Sequence, residues 1–136
     1  MSRDTSALAH PKHPHAQRQK KAKDQAARKV FRDQVWQRDG GRSRVNGEIL
    51  FRSHGCKVYR GNVCHLQSRG AHPERALDPT NAILMSEYHH IMSDARGGRV
   101  LRLTDAETSE PATDATRPIR FTLYDKAGAV VWTRVS

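Results

Sequence analysis

The apolar positions of this chain fall in short clusters separated by long polar stretches. Residues 1–17, MSRDTSALAHPKHPHAQ, contain His and Pro but little that could be buried, and read as a disordered arm. Arg18 to Arg38 is rich in Ala, Lys, Gln and Arg, all good helix formers. Within it Ala27, Val30, Phe31 and Val35 recur at helical spacing, with Trp36 beside them. Gly40 and Gly41 supply a left-handed stop.

Short β patterns follow. Glu48–Phe51 and Lys57–Arg60 are brief strand candidates, and Asn62–Leu66 is a strand bearing Cys64 and His65. Gln67–Thr80 is a polar loop broken by Gly70, Pro73 and Pro79. The apolar run Ala82–Met85 leads to Ser86, a good N-cap, and a short helix over Glu87–Asp94 that Gly97–Gly98 ends. Arg99–Thr104 alternates as a strand does, and Thr108–Thr116 reads as a connecting loop. Ile119–Tyr124 and Ala129–Val135 flank a turn at Asp125–Gly128, a hairpin signal. The expected fold class is α+β. One domain spans 18–136, with an N-terminal basic helix, a core at about 28–105 and a C-terminal β hairpin at about 117–136.

Charge adds a partner to this picture. The formal net charge is +10 with a pI near 10.3, which at this size points to a polyanion, most often nucleic acid. Lys20, Lys21, Lys23 and Arg28 on the first helix are candidate phosphate contacts. No apolar run is long enough to span a bilayer and no signal-peptide core is present, so the expectation is a cytoplasmic protein without a membrane partner. The two cysteines, Cys56 and Cys64, would stay reduced there and are too few for a cysteine-rich zinc site.

The segment Val63–Asp94 concentrates the candidate chemistry. It places His65 at a strand end, Asn81 after a loop, and His89–His90 on a short helix. A strand and a helix presenting His in this order describe a ββα-metal site. Phosphodiester hydrolysis needs an activated water and a cation to take up developing charge. A neutral His can accept the water's proton near neutral pH, a second His can ligate a divalent ion, and an Asn can fix the loop or orient the base. Arg69 can meet phosphate bidentately, or brace the loop by pairing with Glu74. His72 suits phosphate, metal or loop packing equally, and His54 reads as a turn residue.

These residues resemble the HNH endonucleases (the His-Me finger group), in particular small phage and bacterial members. The resemblance rests on SRGAHPE at Ser68–Glu74, DPTN at Asp78–Asn81, LMSEYHH at Leu84–His90, and the upstream RDGGRSRVNG at Arg38–Gly47, and covers about residues 28–105. It implies a metal-dependent nuclease acting on DNA, with His65 as general base, Asn81 as an orienting or structural residue, and His90 as a ligand to magnesium or manganese. The residue before the base is commonly a metal-ligating Asp or His in that family, and here it is Cys64, a soft donor ill suited to magnesium. Three readings follow: magnesium held through His90 and phosphate with Cys64 idle, a softer metal, or an impaired nuclease that retains nucleic-acid binding. An accessory role in a phage DNA-handling complex is the further alternative. Relatives often carry two CxxC pairs that bind structural zinc. The corresponding positions here are Ser43, Asn46, Ser86 and His89, so no structural zinc is expected.

Overall fold

A computed structural model describes residues 14–95 and 98–136. The chain divides into two units, residues 1–30 and 31–136. The fold is α+β, with two α-helices and two small antiparallel sheets among the described residues.

Helix α1 runs Pro14–Arg38. It starts four residues before the expected Arg18, because Pro14 is preset for a first helical turn. The rest of the arm expected at 1–17 lies outside the described residues. In the first unit every described residue from His15 to Val30 is exposed. The expected apolar stripe is therefore shorter than its periodicity suggests. Phe31 and Val35, one turn apart, are buried and Trp36 is half-buried, whereas Ala27 and Val30 face solvent. The core of the second unit begins at Phe31. Gly40 and Gly41 take the left-handed backbone that stops the helix, at φ 66° and 68°.

Strand β1 is Gly61–His65 and strand β2 is Ala82–Ser86, paired antiparallel so that His65 faces Ala82 and Gly61 faces Ser86. Helix α2, Glu87–Ser93, follows β2 without a break, and the Ser86 hydroxyl caps it by accepting from the His89 N–H. The loop between β1 and β2 contains two 3₁₀ turns, Pro73–Arg75 and Pro79–Asn81. Strands β3, Val100–Asp105, β4, Ile119–Tyr124, and β5, Val130–Val135, form a three-stranded meander. The expected C-terminal hairpin is thus two strands of a three-stranded sheet, with β4 at its centre. The strands expected at Glu48–Phe51 and Lys57–Arg60 do not form. Only single bridges, Arg42 to Ile49 and Phe51 to Arg60, occur there, because the turns at Gly47 and at residues 52–59 leave too little straight chain to ladder.

β2 holds the second unit together. All five of its residues are buried, and alternate side chains enter different clusters. Ala82 and Leu84 join Phe31, Val35 and Leu50. Ile83 and Met85 join Met92 of α2 and Leu101, Ile119, Phe121 and Leu123 of the three-stranded sheet. A strand buried on both faces reads as a continuous apolar run, which is what AILM is.

Candidate active site

The segment after α1 clasps β2. Arg38 donates Nη1 to the Pro79 carbonyl and Nη2 to the Ala82 carbonyl, each at 2.6 Å. Asp39, its side chain 3 % exposed, accepts the Leu84 N–H at 2.8 Å and pairs with Arg38 at 2.9 Å. The Arg38–Asp39–Gly40–Gly41 stretch therefore grips the chain on both sides of Asn81, with the glycines providing the reversal.

Asn81 is fully buried and fully partnered. Its Oδ1 accepts the Gln67 N–H at 2.8 Å, and its Nδ2 donates to the carbonyls of Gln67 at 3.0 Å and Arg75 at 3.2 Å. It closes the long loop on itself. Arg75 finishes the closure, donating to Gln67 Oε1 and the Thr113 carbonyl at 2.6 Å each and to Thr80 Oγ1 at 3.1 Å. Asp78 accepts from both the N–H and the hydroxyl of Thr80 and pairs with Arg75. Those bonds, the Thr80 hydroxyl foremost, hold the Asp78 carboxyl below its ordinary range.

The loop so fixed presents the Ala76 carbonyl to His65. His65 Nε2 lies 2.8 Å from it. A carbonyl oxygen can only accept, so Nε2 carries the proton and the neutral ring keeps its lone pair on Nδ1. The ring also stacks on Phe31, with centroids 5.3 Å apart and planes at 20°. Tautomer and orientation are both set by the protein.

His65 lines a cleft of about 490 Å³ with Cys64, Ser68, His90 and Asp94 on one side and β3, including Arg102, on the other. Cys64 Sγ lies 3.1 Å from His90 Nδ1 and 3.7 Å from the Asn62 carbonyl. Burial, with a smaller contribution from the Asp94 charge, pushes the Cys64 thiol far up, so it stays protonated. With its S–H directed to Asn62, the sulfur can accept from His90 Nδ1, which leaves His90 Nε2 toward the Asp94 carboxylate 3.8 Å away. Cys64, expected as a metal donor, has the geometry of a partner that orients His90. His90 and Asp94 form the N,O pair that suits a divalent ion of the magnesium–manganese class. Among the described residues no three His, Cys, Asp or Glu side chains converge on one point, so such an ion would draw its other donors from water and phosphate.

The remaining expected site residues are dispersed. Arg69 is exposed, and its guanidinium has no partner among the described residues. Its alternative partner Glu74 pairs with His72 at 3.3 Å. Lys20, Lys21, Lys23 and Arg28 are exposed on α1 in the first unit. His54 caps its own turn by accepting the Cys56 N–H, as a turn residue should. Cys56 is exposed and Cys64 buried, and both are free thiols. Ser43, Ser86 and His89 are buried, and each pair of the zinc-like positions bonds locally: Ser43 Oγ accepts from Val45 N–H, Asn46 Oδ1 from Glu48 N–H, and Ser86 Oγ lies 3.1 Å from His89 Nδ1. Burial holds His89 below the ordinary imidazole range.

Sequence reading missed Arg38, Arg75, the Ala76 carbonyl, Asp94 and Arg102. Asp94 had a local signal, since it follows His90 by one helical turn. The others act through the tertiary fold. Arg102 has no side-chain partner among the described residues, which leaves its guanidinium available to the cleft.

Comparison with protein-family models, curated proteins and solved structures finds no match to this chain.

Proposed function

We propose that this chain is a metal-dependent endonuclease of the HNH type that hydrolyses phosphodiester bonds in DNA, built on a ββα-metal core formed by β1, β2 and α2. The observation that carries the reading is the His65–Ala76 hydrogen bond, which commits Nε2 as a donor and leaves Nδ1 able to accept a proton, on a residue that lines a cleft with His90 and Asp94. His65 takes the proton of the attacking water at Nδ1. Asn81 positions His65 indirectly, by fixing Arg75 and so the next carbonyl. His90 and Asp94 would hold the ion, which when bound stabilises the charge that develops on the phosphate. Arg102 and Arg69 supply guanidinium groups for phosphate oxygens. The basic α1 adds sequence-independent affinity for the backbone. The resemblance in Ser68–Glu74, Asp78–Asn81 and Leu84–His90 supports the same reading.

One observation favours a second reading. The Cys64 sulfur, 3.1 Å from His90 Nδ1, stands where an oxygen donor would strengthen a magnesium site, which fits a nucleic-acid-binding protein with impaired catalysis.

Supercoiled-plasmid cleavage with magnesium, manganese, nickel or EDTA, comparing the parent with His65→Ala, separates the two. Metal-dependent nicking that the substitution abolishes is expected. No cleavage with any metal, together with salt-sensitive DNA retention, selects the binding protein.

A further inference from the structure

We propose that Phe51, His54 and Tyr59 form a stacking platform for unpaired bases, so that the nucleic acid engaged by the second unit includes a single-stranded segment. The proposal deepens the nucleic-acid reading above by naming the form of the substrate.

The three rings make a continuous run on the surface. Phe51 and His54 have centroids 5.8 Å apart, and His54 and Tyr59 5.3 Å apart. Phe51 remains 52 % exposed and Tyr59 46 %, so a large part of each ring is open to a ligand. Neither belongs to either apolar cluster of the core. Two half-exposed aromatics held next to a third ring contribute little to packing.

The platform is ordered by its own hydrogen bonds. Phe51 N–H donates to the Tyr59 carbonyl at 2.7 Å, and Gly61 N–H donates to the Phe51 carbonyl at 2.9 Å. Arg60 crosses the loop to the carbonyls of His54 at 2.7 Å and Gly55 at 2.9 Å. Rings fixed in advance lose little freedom when a base stacks on them.

Charge selects the class of ligand. The segment from Ile49 to Arg60 contains Arg52, Lys57 and Arg60 and no acidic residue. Arg60 is paired with Glu87, and Arg52 is paired with Asp33 and lies over Trp36. The exposed Lys57 side chain has no partner among the described residues. Exposed rings beside an unpaired cation match a ligand with flat faces and a phosphate backbone. A duplex keeps its base faces stacked internally and offers none. β1 leads from this loop to His65, and its four residue steps span about 13 Å at ~3.3 Å each.

The test is binding of a labelled oligothymidylate and of an abasic oligonucleotide of the same length, both in EDTA, followed by fluorescence anisotropy. The two probes share a phosphate backbone, and only the first has bases to stack. The parent is expected to bind oligothymidylate more tightly by roughly tenfold or more. The double variant Phe51→Ala, Tyr59→Ala is expected to bind both probes alike, with an unchanged salt slope. Phe51→Trp with Tyr59→Phe is expected to keep the preference. Equal binding of the two probes by the parent overturns the proposal, and so does a preference that survives the double Ala substitution. Should the double Ala variant not fold, Phe51→Ala and Tyr59→Ala are measured singly, and a preference that neither reduces overturns the proposal. Plasmid cleavage run alongside keeps the readings apart. A base preference without cleavage removes the nuclease and leaves the platform, and cleavage without a base preference does the reverse.

Discussion

Cys64 Sγ lies 3.1 Å from His90 Nδ1, so the strand that carries the proposed base and the helix that carries the proposed metal ligand meet through a sulfur contact. Partners that orient a metal-binding imidazole typically change metal affinity or activity by about 10- to 100-fold when removed. Cys64→Ala is expected to weaken manganese binding and manganese-dependent cleavage by that order, and Cys64→Ser to retain most of both. Calorimetric titration of the ion, with cleavage rates beside it, checks this. An alanine variant equal to the parent in both would make the thiol idle.

Asn81→Ala should act on stability and on rate. It strips a partner from the part-buried Gln67 N–H and loosens Arg75, a loss of about 1 kcal/mol or more. Urea unfolding should show that loss. Because the Ala76 carbonyl would no longer be held against His65, kcat should fall more than KM rises. A loss confined to KM would count against a positioning role.

Arg102→Ala tests the far wall of the cleft. Arg102 is exposed, so the unfolding free energy from urea titration should change by about 0.5 kcal/mol or less. If its guanidinium meets a phosphate oxygen at the reacting centre, kcat/KM for plasmid nicking should drop by roughly tenfold or more, and Arg102→Lys should recover part of it. Unchanged kinetics in the alanine variant would remove Arg102 from the site.

The loop that positions His65 should be acid-sensitive. The Asp78 carboxyl is held below its ordinary value of 3.8, chiefly by the Thr80 hydroxyl. A lowered folded-state value means that the unfolded chain binds the proton more readily. Stability is then fully present above about pH 4 and is lost as pH falls through the folded-state value. Asp78→Asn should lower stability at neutral pH and flatten the dependence below pH 4, as thermal melting against pH would show. A variant with the parent's full acid dependence would assign that dependence to other carboxylates, Asp105 among them, whose carboxyl Arg117 also holds low.

Local pattern was enough to fix several elements of this chain. Alternation marked β3, the arms around the Asp125–Gly128 turn marked β4 and β5, the apolar AILM run marked β2, and Ser86 marked the start of α2, because each signal depends on side chains a few residues apart. The order His65, Asn81, His90 marked the candidate site for the same reason, since strand end, loop and helix follow one another directly. Tertiary structure alone decided which apolar positions were buried. Val30 and Phe31 both fit the helical stripe, but the core of the second unit begins at Phe31, so Val30 stays exposed. It also decided what each site residue does. Arg38 reaches carbonyls more than forty residues away in sequence, Asn81 and His65 bond to the successive carbonyls of Arg75 and Ala76, which no residue type can signal, and Cys64 meets His90 only because β1 and α2 converge. Periodicity reports which way a side chain points on its own element. Hydrogen bonds between elements depend on how those elements pack, and backbone carbonyls are identical in every residue, so the sequence contains no local mark of either.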